Sequence, residues 1–177
     1  YGQKDDKRFF SKVMTYSTFI FVWASIFISL FSKEIIKIFA TKSEYYSAYY
    51  VVPIVLFAYT FSGMRLTASL GMMLTKNTKH IATITLGAAI LNIILNFILI
   101  PYFGIIAAAL NTLIAFIIFY FITQKVSDIY YKIPFENKKL FIMIFIGMVL
   151  SFAGYILPDK FIFQILKLII IIIFPLI

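Results

Sequence analysis

The chain has 177 residues, 63% of them hydrophobic and only 13% charged, with a mean hydropathy of +1.00 and a net charge of +9. Soluble domains are about half apolar and about a quarter charged, and one aqueous core of this length cannot hide so much apolar surface, so the composition excludes a water-soluble domain and points to a bilayer as solvent. The sixteen Lys and Arg fall in short clusters between apolar runs instead of forming one basic stripe, which excludes a nucleic-acid partner, and with no cysteine there is no disulfide framework or thiolate metal site.

The chain opens on a charged flank without an initiator Met or a secretory signal and stops inside an apolar run, so it is expected to be a fragment of a longer membrane protein. A membrane helix needs about 20 mostly apolar residues to cross roughly 30 Å of hydrocarbon. Residues 13–31 carry no charge and form the first span. Residues 33–40 interleave apolar and basic side chains at helical spacing and are expected to continue that helix into the interface. The second span is 45–74, opened by Tyr45, Tyr46, Tyr49 and Tyr50 as an interfacial aromatic belt, kinked near its start by Pro53 and interrupted by Arg65.

From 81 to 124 there are 44 consecutive uncharged residues, about twice what one span uses. Pro101 removes a backbone donor and Gly104 tolerates a turn, so spans three (81–100) and four (104–124) should meet in a tight hairpin. Span five is 140–157, stopped by Pro158, and 161–177, with Lys167, begins a sixth. Lys167 is expected to snorkel or face a neighbouring helix. The runs are apolar all round, unlike the alternation of a membrane barrel. The fold class expected is therefore all-α and polytopic, with about six transmembrane helices.

Alternate connections beginning with the N-terminal flank hold ten basic residues: Lys4, Lys7, Arg8 and Lys12; Lys76 and Lys79; Lys125, Lys132, Lys138 and Lys139. The opposite connections hold four, Lys33, Lys37, Lys42 and Lys160. The positive-inside rule assigns the first set, with the N-terminal flank, to the cytoplasm.

Polar residues within the spans are the candidates for function. Asn92 and Asn96 share a face of span three, and Asn111 lies about two turns into span four. An amide in hydrocarbon leaves donors unsatisfied at several kcal/mol, so all three should face protein or water. Two readings are open: hydrogen bonds between helices, or amides lining a polar cavity. Small residues that favour close packing recur at Gly87-Ala88-Ala89, at Gly104 and Ala108, and at Gly63, Thr67 and Gly71. All seven acids, Glu34 among them, fall in flanks or connections. Arg65 is the one charge well inside spans one to five, and its guanidinium suits either a phosphate or a structural bond to carbonyls or amides. His80 sits at a membrane edge, where a surface role is expected.

The stretch "AAILNIILNFILIPYFGIIAAALNTLIAF" resembles the Asn-x3-Asn-x4-Pro-x2-Gly-x2-(Gly/Ala)-Ala-Ala signature of polysaccharide flippases in the multidrug/oligosaccharidyl-lipid/polysaccharide exporter superfamily. "SKEIIKIFATKSEYYSAYYVVPIVLFAYTF" is similar to a connection that recurs in the same family. The resemblance runs over 9–126, is most specific at 88–112, and departs from the family at Ala107, where Gly is frequent. It implies the C-terminal portion of a fourteen-helix, two-bundle transporter: 1–126 a flank and four helices of the C-terminal bundle, 127–139 a cytoplasmic connection, and 140–177 two additional helices.

It further implies a multi-pass protein of the plasma (inner) membrane, not an enzyme and without cofactor or metal. Such a protein flips an undecaprenyl-diphosphate-linked oligosaccharide by alternating access for O-antigen, lipopolysaccharide or other polysaccharide biosynthesis. The partners implied are that lipid-linked substrate, membrane lipids, and a polysaccharide polymerase or another biosynthetic membrane protein. Arg65 would hold the diphosphate, with Asn92 and Asn96 contributing amides. Two alternatives remain: a multidrug exporter of the same superfamily, and a membrane-embedded glycosyltransferase or polymerase acting on the same lipid.

Overall fold

A computed structural model describes residues 4–39, 43–156 and 161–176, and every regular element among them is helical. In order these are α1 (Lys4–Leu30), α2 (Ser32–Phe39), a 3-10 segment (Ser43–Tyr50), α3 (Val52–Ala68), α4 (Leu70–Leu74), α5 (Lys79–Tyr130), α6 (Asn137–Ile156), α7 (Phe161–Ile173) and a last 3-10 turn (Phe174–Leu176). Three helical stretches among the described residues, Asp6–Leu30, Ala48–Leu74 and Lys79–Tyr130, are long and apolar enough to cross a membrane.

The 52-residue α5 is two antiparallel limbs, because Gly104 (φ 59°, ψ −143°) breaks its helical backbone. That left-handed φ strains any residue with a Cβ, and Pro101, one turn earlier, has already removed a helical donor. A straight helix would hold residues 15 apart at roughly 22 Å. Yet Asn111 Nδ2 donates to Asn96 Oδ1 at 3.2 Å, and at the far end Tyr130 Oη lies 2.7 Å from His80 Nε2. The expected hairpin is present, its turn centred on Gly104.

The core follows from rows of side chains at four-residue spacing. On α1, Met14, Thr18, Val22, Ile26 and Leu30 are all buried. They meet Phe57, Phe61, Met64 and Ala68 of α3, with Tyr120 of α5 and Leu140 and Ile144 of α6 closing the cluster. The second limb of α5 buries Ala107, Asn111, Ala115, Phe119, Thr123 and Ser127, again every fourth residue, in the manner of an i±4 ridge. The first limb has no buried residue, which leaves Leu86, Ile93 and Phe97 exposed.

Several expectations about small residues need correction. Ala108 is only half-buried, and the packed neighbours are Ala107 and Ala109. Gly87 has open space around it, so it is not a contact point of its limb. Gly63 faces the Phe21 ring of α1, whereas Gly71 abuts Ser127 and the Tyr131 carbonyl beyond α5, so the two serve different partners. Leucine at Ala107 should therefore lower the detergent-solubilised melting temperature by an overpacking cost of about 1–3 kcal/mol. Leucine at Ile106, which is 49% exposed, should change it little, and thermal melts of the two variants distinguish these outcomes.

Other boundaries also shift. Pro53 lies in the first turn of α3, where its missing N–H costs nothing, so it starts that helix instead of kinking it. The break in the second expected span falls at Ser69, between α3 and α4. α2 is set off from α1 at Phe31, though Ile35 N–H still bonds the Phe31 carbonyl. The expected connection 127–139 is helical as far as Tyr130. Lys76 closes α4 at φ 60°, with its own N–H on Met73 O and that of Asn77 on Met72 O, the crossed pair of a Schellman cap. Pro158, Lys42 and Lys160, to which the sequence assigned roles, lie outside the described residues.

The connections richest in Lys and Arg lie together at one end. Ser11 Oγ donates to Pro134 O (2.8 Å), Lys7 Nζ stands 4.8 Å over the Tyr131 ring, and His80 meets Tyr130 there. At the opposite end Lys33 stacks over Tyr49, and the Tyr49 and Tyr50 rings are 4.0 Å apart.

Candidate functional site

Between α3 and the two limbs of α5 lies a pocket of about 330 Å³. Helical spacing builds its walls: Thr85, Ala88, Ala89, Asn92 and Ile93 fall on one face of the first limb, and Thr112 and Phe116 on one face of the second. Arg65 enters from α3. Its Nη1 donates to Thr85 Oγ1 (3.1 Å), whose own hydroxyl donates to the Ile81 carbonyl (2.8 Å).

A guanidinium carries five N–H donors. Thr85 takes one from Arg65, and among the described residues no carboxylate forms an ion pair with it. Arg65 is half-buried, about 9 Å along the first limb from Lys79 when measured at Thr85. The result is a cation with spare donors, facing a small cleft whose other polar groups are two hydroxyls and an amide.

The three asparagines form a relay. Asn111 donates to Asn96 Oδ1 (3.2 Å), and Asn96 Nδ2 donates to Asn92 Oδ1 (2.7 Å). Asn96 and Asn111 sit eight residues before and seven after Gly104, so the turn brings them level on facing limbs. Asn111 is 3% exposed and ties the limbs together. Asn92 reaches the pocket at the end of the relay, its amide nitrogen without a hydrogen bond among the described residues.

Of the residues singled out from sequence, Arg65 and Asn92 share the pocket, whereas Asn96 does not line it and serves the hairpin. Thr85, Thr112 and Phe116 were missed. Thr85 stands seven residues before Asn92, on the same helical face, a spacing visible without coordinates. His80 makes its contact with Tyr130 at the basic end, in keeping with a surface position.

Of the two expectations for Lys167, the structure shows the second: it does not snorkel but faces a neighbouring helix, α2. It is 1% exposed, donates to Glu34 Oε1 at 3.1 Å, and lies 5.7 Å from the Phe31 ring centroid. Glu34 is thus a helix-bound ion-pair partner, not a solvated flank residue, and its Oε2 is buried without a hydrogen bond. No family model, curated protein or solved structure matches the chain.

Proposed function

We propose that the chain is part of a polytopic helical transporter that flips a lipid-linked oligosaccharide across a plasma membrane, with about six of its helices spanning the bilayer. The observation that carries this reading is the Arg65 pocket. A buried charge within an apolar helix costs a few kcal/mol and calls for a compensating partner. Here the half-buried Arg65 has, among the described residues, one hydroxyl, no acid, and an opening shared with Asn92. A guanidinium with free paired donors matches the oxygens of a diphosphate.

The cleft, at the small end of ligand-pocket sizes, suits the charged linkage and leaves the sugars outside it. The sign of its charge favours an anion over the cationic drugs that exporters bind at carboxylates. The resemblance at 88–112 points to the same substrate class, and the asparagine relay gives its two conspicuous amides a role in fixing the hairpin on which the pocket is built. The test is reconstitution of the whole protein with an undecaprenyl-diphosphate oligosaccharide in liposomes. Sugar that becomes accessible to an impermeant enzyme on the far leaflet supports flipping; none above protein-free vesicles refutes it.

The grouping of the basic connections at one end supports a cytoplasmic assignment for that end. The chain has no cysteine, so single cysteines report position cleanly. Lys79→Cys and Lys132→Cys should react with an impermeant maleimide only from the cytoplasmic side, and Lys37→Cys only from outside. Labelling of Lys37→Cys and Lys79→Cys from the same side would refute the scheme.

A further inference from the structure

A second, larger cavity, about 1060 Å³, runs between α1 and α6 and is closed at its inner end by Phe174. The two helices build it with the same polarity. On α6, Lys138 and Lys139 lie in the first turn, and Ile142, Met143 and Ile146 follow one and two turns on. On α1, Tyr16 and Phe19 line it, and Lys12 stands one turn before Tyr16, outside the lining. Phe19 stacks on Phe174, with centroids 5.6 Å apart, to form the floor.

The groove is thus cationic at the end where the basic connections gather and apolar for about 12 Å beyond. Glu136 neutralises part of the rim, at 3.6 Å from Lys139 Nζ, but both side chains are more than half exposed, and among the described residues Lys138 has no acidic partner. The α6 N-terminus adds the positive end of its dipole to the rim.

We propose that this groove holds an anionic phospholipid of the surrounding bilayer, its acyl chains against Phe19, Ile142, Met143 and Ile146 and its phosphate at Lys138 and Lys139. Charge complementarity selects the occupant: an amphiphile with negative charge at one end and hydrocarbon along the rest fits a groove of the opposite pattern. A cavity of this size lies at the upper end of ligand-pocket volumes, with room for a phosphate and the start of an acyl chain. A lipid here requires the helices to lie in a bilayer; it does not require the chain to move a sugar.

The experiment is native mass spectrometry of the whole, delipidated protein titrated with dioleoyl phosphatidylglycerol or dioleoyl phosphatidylcholine. Phosphatidylglycerol should be retained preferentially, and Lys138→Gln/Lys139→Gln should cut that preference by about five-fold per lysine, the effect expected for one basic residue at an anionic surface. Ile146→Trp, which fills the groove, should weaken both lipids. Lys132→Gln removes an exposed charge outside the groove and should change neither.

Equal retention of the two lipids by the unsubstituted protein overturns the proposal, as does a Lys132→Gln effect equal to that of the double variant. Displacement of phosphatidylglycerol by an equimolar polyprenyl phosphate also overturns it, by assigning the groove to a different lipid. Alkaline extraction of native membranes separates the two readings. A chain that washes off was never embedded, so both fall, whereas an embedded chain without the lipid preference sinks this proposal alone.

Discussion

Arg65→Ala should bring flipping of the lipid-linked oligosaccharide to background without lowering the amount of protein in the membrane. The expectation follows from the way the guanidinium is held. Among the described residues its one bond is to the Thr85 hydroxyl, a neutral acceptor that is itself bonded to Ile81 O, so removing Arg65 orphans no charge and breaks no ion pair there. Folding therefore loses little. Under the proposed function, binding of a diphosphate across the guanidinium fork would lose two charge-assisted bonds, each worth roughly 1.5–3 kcal/mol, and hence more than a hundred-fold. Arg65→Lys keeps the charge without the planar fork and should retain part of the activity. Thr85→Ala only frees the guanidinium and should cost less than ten-fold. Rates normalised to protein abundance decide the matter: normal flipping by the alanine variant would reduce Arg65 to a tolerated structural charge.

Why the hairpin could be read from sequence while its packing could not is instructive. An uncharged run of 44 residues is too long for one span, and Pro101 and Gly104 mark the place where it must turn. These are local constraints, carried by backbone chemistry. The buried face of a helix is not local. Ala107 and Ala109 are packed while Ala108 between them is only half-buried, a difference set by the neighbours of each position and not by its own side chain. All small residues look alike in an apolar run, and only the neighbour distinguishes Gly71, pressed on Ser127, from Gly87, which touches nothing.

The pocket divides in the same way. Arg65 and Asn92 stand out because a charge or amide in an apolar helix demands a partner. Thr85 and Thr112 do not, since a hydroxyl can bond its own helix carbonyls, as Thr85 does with Ile81 and Thr112 with Ala108. Nor could the pairing of Glu34 with Lys167 be foreseen, 133 positions apart and with Glu34 placed by its neighbours in a connection. Charge and hydropathy fix which segments leave water; the partners of buried polar groups follow from tertiary packing.

That pairing carries the largest stability effect expected in the chain. Lys167 is almost wholly enclosed, Glu34 is 31% exposed, and the 3.1 Å bond ties α7 to α2. Breaking a buried pair by removing one partner costs about 3–5 kcal/mol, because the charge left behind has no compensation. The burial is asymmetric, so the two single substitutions should differ. Glu34→Gln strands the enclosed ammonium and should approach that full cost. Lys167→Met strands a carboxylate whose side chain is 31% exposed, although its Oε2 is enclosed, and should cost less. Glu34→Gln/Lys167→Met removes both charges and should recover much of the loss. Thermal unfolding of the four proteins in one detergent gives the cycle. A double variant no more stable than Glu34→Gln, or a Glu34→Gln variant as stable as the parent, would mean that the pair does not hold α7 in place.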